Sequence, residues 1–140
     1  MKTADVIIVG SGASGLFNAL FLPQDYKVII ITKKEVEESD SFLAQGGISA
    51  LKNPEDYDSY FEDTMKAGHY ENDKGAVEKM IKESPQIIQD LKDFGVRFDL
   101  KDGEIEFTRE GGHSTFRILH HEDLTGKEIT SHLYEEAKKR

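Results

Sequence analysis

The sequence predicts an α/β fold that opens with a parallel βαβ unit, and three observations carry this prediction. Residues 6–9 and 28–31 are two uninterrupted runs of β-branched residues, VIIV and VIII. The glycine pattern GSGASG at 10–15 follows the first run directly. Continuous β-branched runs are typical of parallel strands covered on both faces. A strand that runs into GxGxxG and then a helix is typical of a turn that binds nucleotide phosphates.

Each glycine of this turn is expected at its position for a physical reason. Gly10 permits the tight turn, Gly12 lets the backbone approach a pyrophosphate, and Gly15 lets the helix pack closely on the strand. The unpaired N–H groups and positive dipole end of the helix then face the anion. The alternative is a glycine-rich turn without a ligand. The residues expected to bind the phosphates are Gly10, Ser11, Gly12, Ala13, Ser14 and Gly15.

Periodicity and capping signals predict the later elements. Ser84-Pro85 has the residue types of a fresh N-cap followed by proline at the first helical position. Asp102-Gly103 lies between two alternating segments and predicts a hairpin. Thr125 to Glu128 match a capping box. In order, the expected elements are strand 5–9, helix 13–22, strand 27–32, a long loop 33–51, helix 54–67, helices from 73 and from 84, hairpin 96–108, loop 109–123 and a helix from 125.

Composition narrows the class of protein and its partners. The 140 residues match one ordinary domain, and the formal net charge of −9 argues against a nucleic-acid or anionic-membrane partner. The absence of cysteine excludes disulfides and thiolate metal sites and fits a cytoplasmic location. The apolar runs are far shorter than a membrane span, and the early first strand leaves no room for a signal peptide.

The end of the second predicted strand carries Thr32 and Lys33, where a dinucleotide fold usually places an acid on the ribose. Glu35 is near the expected spacing but lies past the strand end. A hydroxyl and an ammonium group can hold a ribose, and the alternative is that Lys33 is an ordinary exposed lysine. Because no acidic residue stands at the end of this strand, the sequence disfavours an NAD-dependent dehydrogenase.

Two later segments have the composition of binding loops. Segment 39–50, SDSFLAQGGISA, combines hydroxyls with small residues and paired glycines, which permit close approach to a flat ligand. In segment 108–123, Arg109 or Arg117 suits a substrate carboxylate and Glu110 suits an ammonium group. The alternatives are a plain loop and an internal Arg–Glu pair. The histidines of the second segment lack metal-ligand spacing, so no metal site is predicted, and no GxSxG frames Ser114 as a nucleophile.

Together these segments resemble the N-terminal part of the L-aspartate oxidases, a family of the succinate dehydrogenase and fumarate reductase flavoproteins. The resemblance covers essentially the whole chain and rests on GSGxSG, Thr-Lys after the second strand, AQGG at 44–47, TREGGH at 108–113 and RILH at 117–120. It implies a Rossmann-like FAD-binding domain. Residues 1–140 are then an incomplete N-terminal portion with βαβ, helices, β-hairpin and C-terminal helix, and the capping or substrate domain and the helical domain are absent.

The resemblance also implies where the cofactor binds. FAD is expected with Ser11 to Ser14 at the pyrophosphate and with Thr32 and Lys33 near the adenosine ribose. Relatives that attach flavin covalently carry a histidine five residues before the glutamine of AQGG, where this sequence has Asp40. The FAD is therefore expected to be noncovalent. The residues expected along the flavin are Asp40, Ser41, Phe42, Leu43, Ala44, Gln45, Gly46 and Gly47.

The implied reaction is oxidation of L-aspartate to iminoaspartate for quinolinate and NAD biosynthesis, with oxygen or fumarate as electron acceptor. Glu110 would orient the substrate amino group, and quinolinate synthase is the implied protein partner. The other catalytic groups of the family lie in the capping domain, so residues 1–140 alone are expected to be inactive. The alternatives are a fumarate reductase or succinate dehydrogenase-type flavoprotein and a catalytically silent nucleotide-binding fragment.

Overall fold

The computed structural model describes residues 3–140. Strand β1 (Val6–Val9), helix α1 (Ala13–Phe21) and strand β2 (Val28–Ile31) form the βαβ unit. The two strands are parallel, with Val6 opposite Val28 and Val9 opposite Ile31. Helix α1 ends before Pro23, which cannot continue it because proline lacks the N–H donor. The predicted βαβ unit is confirmed.

Within residues 3–140 the sheet of β1 and β2 is covered on one face only, so the second face of the strands expected to be covered on both faces is open in this part of the chain, as the expected incomplete domain implies. Ile8 contacts the Gly15 region of α1, and Ile30 packs against the main core. On the other side Ile7, Val9 and Ile31 are exposed by 59%, 85% and 50%. The β-branched run was interpreted correctly as a strand, but no element within residues 3–140 packs against this second face.

The segment after β2 is more regular than the expected loop. It contains a 3₁₀ turn at Val36–Glu38, helix α2 (Asp40–Leu43) and strand β3 (Ile48–Ser49). Ser39 joins the two helical turns, because its hydroxyl donates to the Val36 carbonyl at 2.7 Å and accepts the Phe42 N–H at 3.2 Å. The expected long loop over 33–51 therefore contains two helical turns and a short strand, which disagrees with the alternative of a plain loop.

Helix α3 (Tyr57–Ala67) follows a 3₁₀ turn at Pro54–Asp56, and helix α4 (Lys74–Asp93) is capped by Asp73. The prediction of a separate helix from Ser84 is wrong, because α4 continues through Pro85. Proline removes the N–H that would bond the Ile81 carbonyl, and the Ser84 hydroxyl donates to that carbonyl instead at 2.7 Å. Helix α4 stops just before Gly95, which has φ +89°, and this matches the predicted helix end.

The predicted hairpin is present but short. Strands β4 (Leu100–Lys101) and β5 (Glu104–Ile105) flank Asp102 and Gly103, which both have positive φ. Strand β6 (Phe107–Thr108) leaves the hairpin and pairs with β7 (Ile118–Leu119), which also pairs with β3. The interpretation of 109–123 as loop throughout is therefore wrong at β7.

Helix α5 (Thr125–Lys139) closes the described fold, and its Ile129 and Leu133 are buried in the main core. The predicted capping box is wrong. Leu124 is the N-cap, the Thr125 hydroxyl accepts the His121 N–H at 3.0 Å, and Glu128 binds Arg97. No helix among residues 3–140 has both the length and the apolar character needed to cross a bilayer.

Candidate functional site

The glycine turn has the backbone geometry that its sequence predicts. Gly10 has φ +115°, a conformation that L side chains rarely adopt. A Cβ at Gly15 would lie 2.1 Å from the Gly10 carbonyl oxygen, so only glycine lets α1 approach β1 this closely. Gly12 is the N-cap of α1 and provides no side-chain cap. The first N–H groups of α1 therefore remain available to an anion.

A cleft of about 520 Å³ opens at this turn and brings three predicted segments together. Ser11 is buried and donates its hydroxyl hydrogen to Thr32 Oγ1 at 2.9 Å, which ties the glycine turn to the end of β2. Thr32 in turn donates to the Lys34 carbonyl at 2.9 Å. The lining residues are Val9, Gly10, Ser11, Gly12, Ile31, Thr32, Lys33, Lys34, Glu35, Glu38, Ser39, Asp40 and Ser41.

Helix α2 carries the next segment against the glycine turn. A Cβ at Gly12 would lie 3.0 Å from Ser41 Oγ, so the two segments touch. The start of α5 supports α2 from the other side, because the Gly126 N–H donates to the Ala44 carbonyl at 2.9 Å and a Cβ at Gly126 would lie 2.1 Å from the Ser41 carbonyl oxygen. Sequence reasoning missed this role of Gly126.

The segment from Leu43 to Gly47 is exposed, whereas Phe42 is half-buried. Gly46 and Gly47 have different neighbours. A Cβ at Gly46 would lie 3.1 Å from Glu110 Oε1, so the Glu110 carboxylate lies directly beside the AQGG segment. A Cβ at Gly47 would lie 2.4 Å from Ile118 Cγ2, so this glycine is explained by packing on β7.

Arg117 does not lie where a substrate carboxylate could reach it, so that candidate role is wrong. Its side chain is fully buried and bound by this chain's own acids. Nε and Nη2 donate to the two oxygens of Asp56 at 2.9 and 2.8 Å, and Nη1 donates to Asp63 at 2.5 Å. The other candidate for a substrate carboxylate, Arg109, is exposed, and its guanidinium carbon lies 5.5 Å from the centroid of the Phe116 ring.

The charges of this buried cluster stabilise one another. Hydrogen bonds from Arg117 hold the pKa of Asp56 well below its usual range, although burial acts in the opposite direction. Burial likewise opposes ionisation of Asp63, but hydrogen bonds from Ser114 and Arg117 keep the pKa of Asp63 below its ordinary value. The pKa of Arg117 is raised, chiefly by its hydrogen bonds to Asp56. The cluster is therefore an ionised, fixed group at neutral pH.

Sequence reasoning missed Asp56, Ser59 and Asp63, whose side chains bind Arg117. Asp56 is the N-cap of α3, and the other two residues lie within that helix. Ser59 Oγ accepts from Arg117 Nη2 at 2.8 Å. The three positions recur at i, i+3 and i+7, which is one face of a helix. That polar stripe beside the apolar Tyr60 and Phe61 was the available signal.

The histidines of this region contact protein groups. His120 and His121 place Nδ1 at 3.1 and 3.3 Å from the two carboxylate oxygens of Asp99. His113 Nδ1 is 3.1 Å from Arg117 Nη1. Within residues 3–140, no group of three or more histidine and carboxylate side chains has an arrangement that could hold a metal ion.

The residues of the cleft fit a dinucleotide. Three backbone features point to one: the left-handed Gly10, the close Gly10–Gly15 approach and the helix start without a side-chain cap. Hydroxyl and amine groups of Thr32 and Lys33 lie at the same cleft. Binding of the cofactor by each named residue stays a prediction.

Comparison with curated proteins gives relatives along the whole chain. The L-aspartate oxidase of Clostridium perfringens is 43% identical over 139 residues, which cover 99% of this chain and 32% of that protein. The L-aspartate oxidase of Clostridium acetobutylicum is 46% identical over 137 residues, with 97% and 32% covered. The chain therefore spans about a third of the length of these relatives. The resemblance to this family is confirmed.

Solved structures give the same fold. FrdA of E. coli quinol fumarate reductase, in a mutant form, matches with a TM-score of 0.89 at 26% identity, over 97% of this chain and 24% of that chain. Mycobacterium smegmatis Sdh1 in complex with UQ1 matches with a TM-score of 0.85 at 32% identity, over 94% and 23%. The predicted α/β fold class is confirmed.

A family model described as an FAD binding domain matches residues 5–140, which is nearly all of the chain. The match agrees with the glycine turn, the cleft beside it and the resemblance found in the sequence. FAD as the cofactor is thereby confirmed. The chain belongs to the FAD binding domain family.

Proposed function

We propose that the full-length protein, encoded by the complete reading frame, oxidises L-aspartate to iminoaspartate with noncovalently bound FAD. The observation that carries this proposal is the position of the Glu110 carboxylate, which lies beside Gly46 in the segment that continues from the FAD cleft. An exposed carboxylate there suits the ammonium group of an amino acid. The identity of 43–46% to two L-aspartate oxidases supports the same reaction.

In this proposal, the residues of this chain bind FAD and orient the substrate. When bound, FAD supplies a hydride acceptor for the bond that is oxidised at the substrate Cα. The helix start at Gly12 stabilises the pyrophosphate charge, and Thr32 with Lys33 suits the ribose hydroxyls. Glu110 attracts the substrate ammonium and so orients the Cα–H bond. Asp40 takes the place of the histidine used for covalent flavin attachment, which supports a noncovalent cofactor.

The proposal extends to the acceptor and the product. Oxygen or fumarate would reoxidise the flavin, and the similarity to FrdA of a quinol fumarate reductase supports fumarate. An imine product hydrolyses in water, so an enzyme that consumes it, such as quinolinate synthase, is the proposed partner. We propose a cytoplasmic location, which the absence of cysteine from the 140 residues fits.

The substitution Glu110→Gln in the full-length protein tests this function. The loss of a charge-assisted hydrogen bond is worth about 1.5–3 kcal/mol, or roughly a tenfold to hundredfold fall in kcat/KM for L-aspartate. Fumarate has no ammonium group, so fumarate reduction should change much less. Steady-state kinetics with both substrates measure the difference, and Glu104→Gln in the exposed β5 is the matched control.

Equal losses for the two substrates would refute the role of Glu110. Turnover of fumarate by the unsubstituted protein without any oxidation of L-aspartate would favour a fumarate reductase-type flavoprotein. Absence of both activities in a flavin-loaded protein would favour a silent nucleotide-binding protein.

A further inference from the structure

The turn that presents Glu110 contains two glycines, which contribute no side-chain packing. The His113 N–H donates to the Glu110 carbonyl at 3.0 Å and closes a turn through Gly111 and Gly112. Both glycines are exposed, and a Cβ at either would meet nothing within 4 Å. The position of the Glu110 carboxylate therefore depends on how the end of the turn is anchored.

That end is anchored to one oxygen of Asp63 on α3. Asp63 Oδ2 accepts the Ser114 N–H at 2.7 Å and the Ser114 hydroxyl at 2.8 Å. The same oxygen accepts from Arg117 Nη1 at 2.5 Å. Because the guanidinium is itself held by Asp56, the carboxylate of Asp63 has one fixed orientation.

A second contact ties the turn to the FAD side. Arginine has no acceptor, so His113 Nδ1 must accept from Arg117 Nη1, which assigns the ring proton to Nε2. Nε2 is 3.3 Å from Ser49 Oγ, in the strand that follows the AQGG segment. The buried arginine thus orients the His113 ring, and the Nε2–H of that ring faces Ser49 Oγ.

We propose that Asp63 is a positioning residue that, through Ser114 and Arg117, holds the Glu110 turn beside the AQGG segment and thereby sets the preference for amino dicarboxylates over dicarboxylates that lack the amine. This inference rests on the proposed function. Misplacement of an orienting group by about 1 Å can cost up to about a hundredfold in rate. Only a substrate that uses Glu110 would experience that cost.

Asp63→Asn in the full-length, FAD-loaded protein tests the inference. It keeps the side-chain shape and removes the charge that orders Ser114 and Arg117. The expected result is a rise in KM and a fall in kcat for L-aspartate, together about tenfold in kcat/KM, with KM and kcat for fumarate and the flavin absorbance spectrum nearly unchanged. Asp58→Asn, an exposed acid on the same helix, is the matched control.

A double-mutant cycle with Glu110→Gln separates positioning from a general structural role. If Asp63 acts through Glu110, Asp63→Asn should change kcat/KM for L-aspartate by less than twofold in the Glu110→Gln background. Ser114→Ala, which removes one exposed contact, should repeat the substrate split if Asp63→Asn fails to fold.

Additive effects in the cycle, or equal losses of kcat/KM for both substrates, would overturn the positioning role while L-aspartate oxidation by the unsubstituted protein still stands. If the unsubstituted protein does not oxidise L-aspartate, the proposed function itself fails, and the two outcomes are therefore distinguishable.

Discussion

At the scale of single residues, the buried pair of Asp56 and Arg117 joins the strand β7 to the start of α3. Breaking a buried pair from one side costs about 3–5 kcal/mol, because the other charge is left without a partner. Asp56→Asn should therefore lower the thermal midpoint of the full-length protein near neutral pH. Asp56→Asn should also leave Arg117 with Asp63 as its one remaining acidic partner among the described residues.

The pH dependence of this pair has a definite sign. An aspartate in an unfolded chain has a pKa of about 3.9, and Arg117 holds the pKa of folded Asp56 well below that. The stabilisation is therefore complete above about pH 4 and is lost as the pH falls towards the folded pKa. Thermal midpoints measured from pH 7 to pH 3 should fall less steeply in Asp56→Asn than in the unsubstituted protein. Identical slopes would contradict this assignment.

At the scale of elements, α4 continues through Pro85 because Ser84 replaces the missing backbone donor. The Ser84 hydroxyl also accepts the Leu51 N–H at 2.8 Å, so two backbone groups depend on it. Ser84→Ala should destabilise the protein by about 1–3 kcal/mol, since both groups lose a buried partner. Thermal denaturation measures the change, and Ser131→Ala on α5 is the control. A midpoint equal to that of the control would show that the helix does not need the hydroxyl.

At the scale of the whole molecule, the sheet of β1 and β2 has one open face within residues 3–140, as an incomplete domain would. Ile7, Val9 and Ile31 form an exposed apolar patch on strands whose outer edges have no pairing strand among residues 3–140. Such surfaces associate in water. Residues 1–140 expressed alone should therefore self-associate with rising concentration in sedimentation velocity, and Ile7→Lys should weaken that association. Met80→Lys, at an exposed position on α4, is the control, and a monomer at every concentration would contradict the prediction.

The sequence by itself determined the local elements of this protein. The run before Gly10 and the spacing of the three glycines specify strand, turn and helix, because their signals lie within a few residues of one another. The Asp102-Gly103 turn and the end of α4 just before Gly95 are local in the same sense. The family resemblance rests on such contiguous motifs, and it implied FAD as the cofactor, which the family match confirms.

Only the tertiary structure decided which segments meet. Arg117 looked like a carboxylate ligand in the sequence, yet it is buried because two acids more than fifty positions away, Asp56 just before α3 and Asp63 on α3, neutralise it. Ser84 and Thr125 matched helix caps by residue type, but the Ser84 hydroxyl bonds the distant Leu51 N–H and the Thr125 hydroxyl bonds the His121 N–H four residues before it. Local sequence patterns indicate which hydrogen bonds and ion pairs a residue can form. Contacts between distant segments select which of those options lowers the free energy of the folded chain.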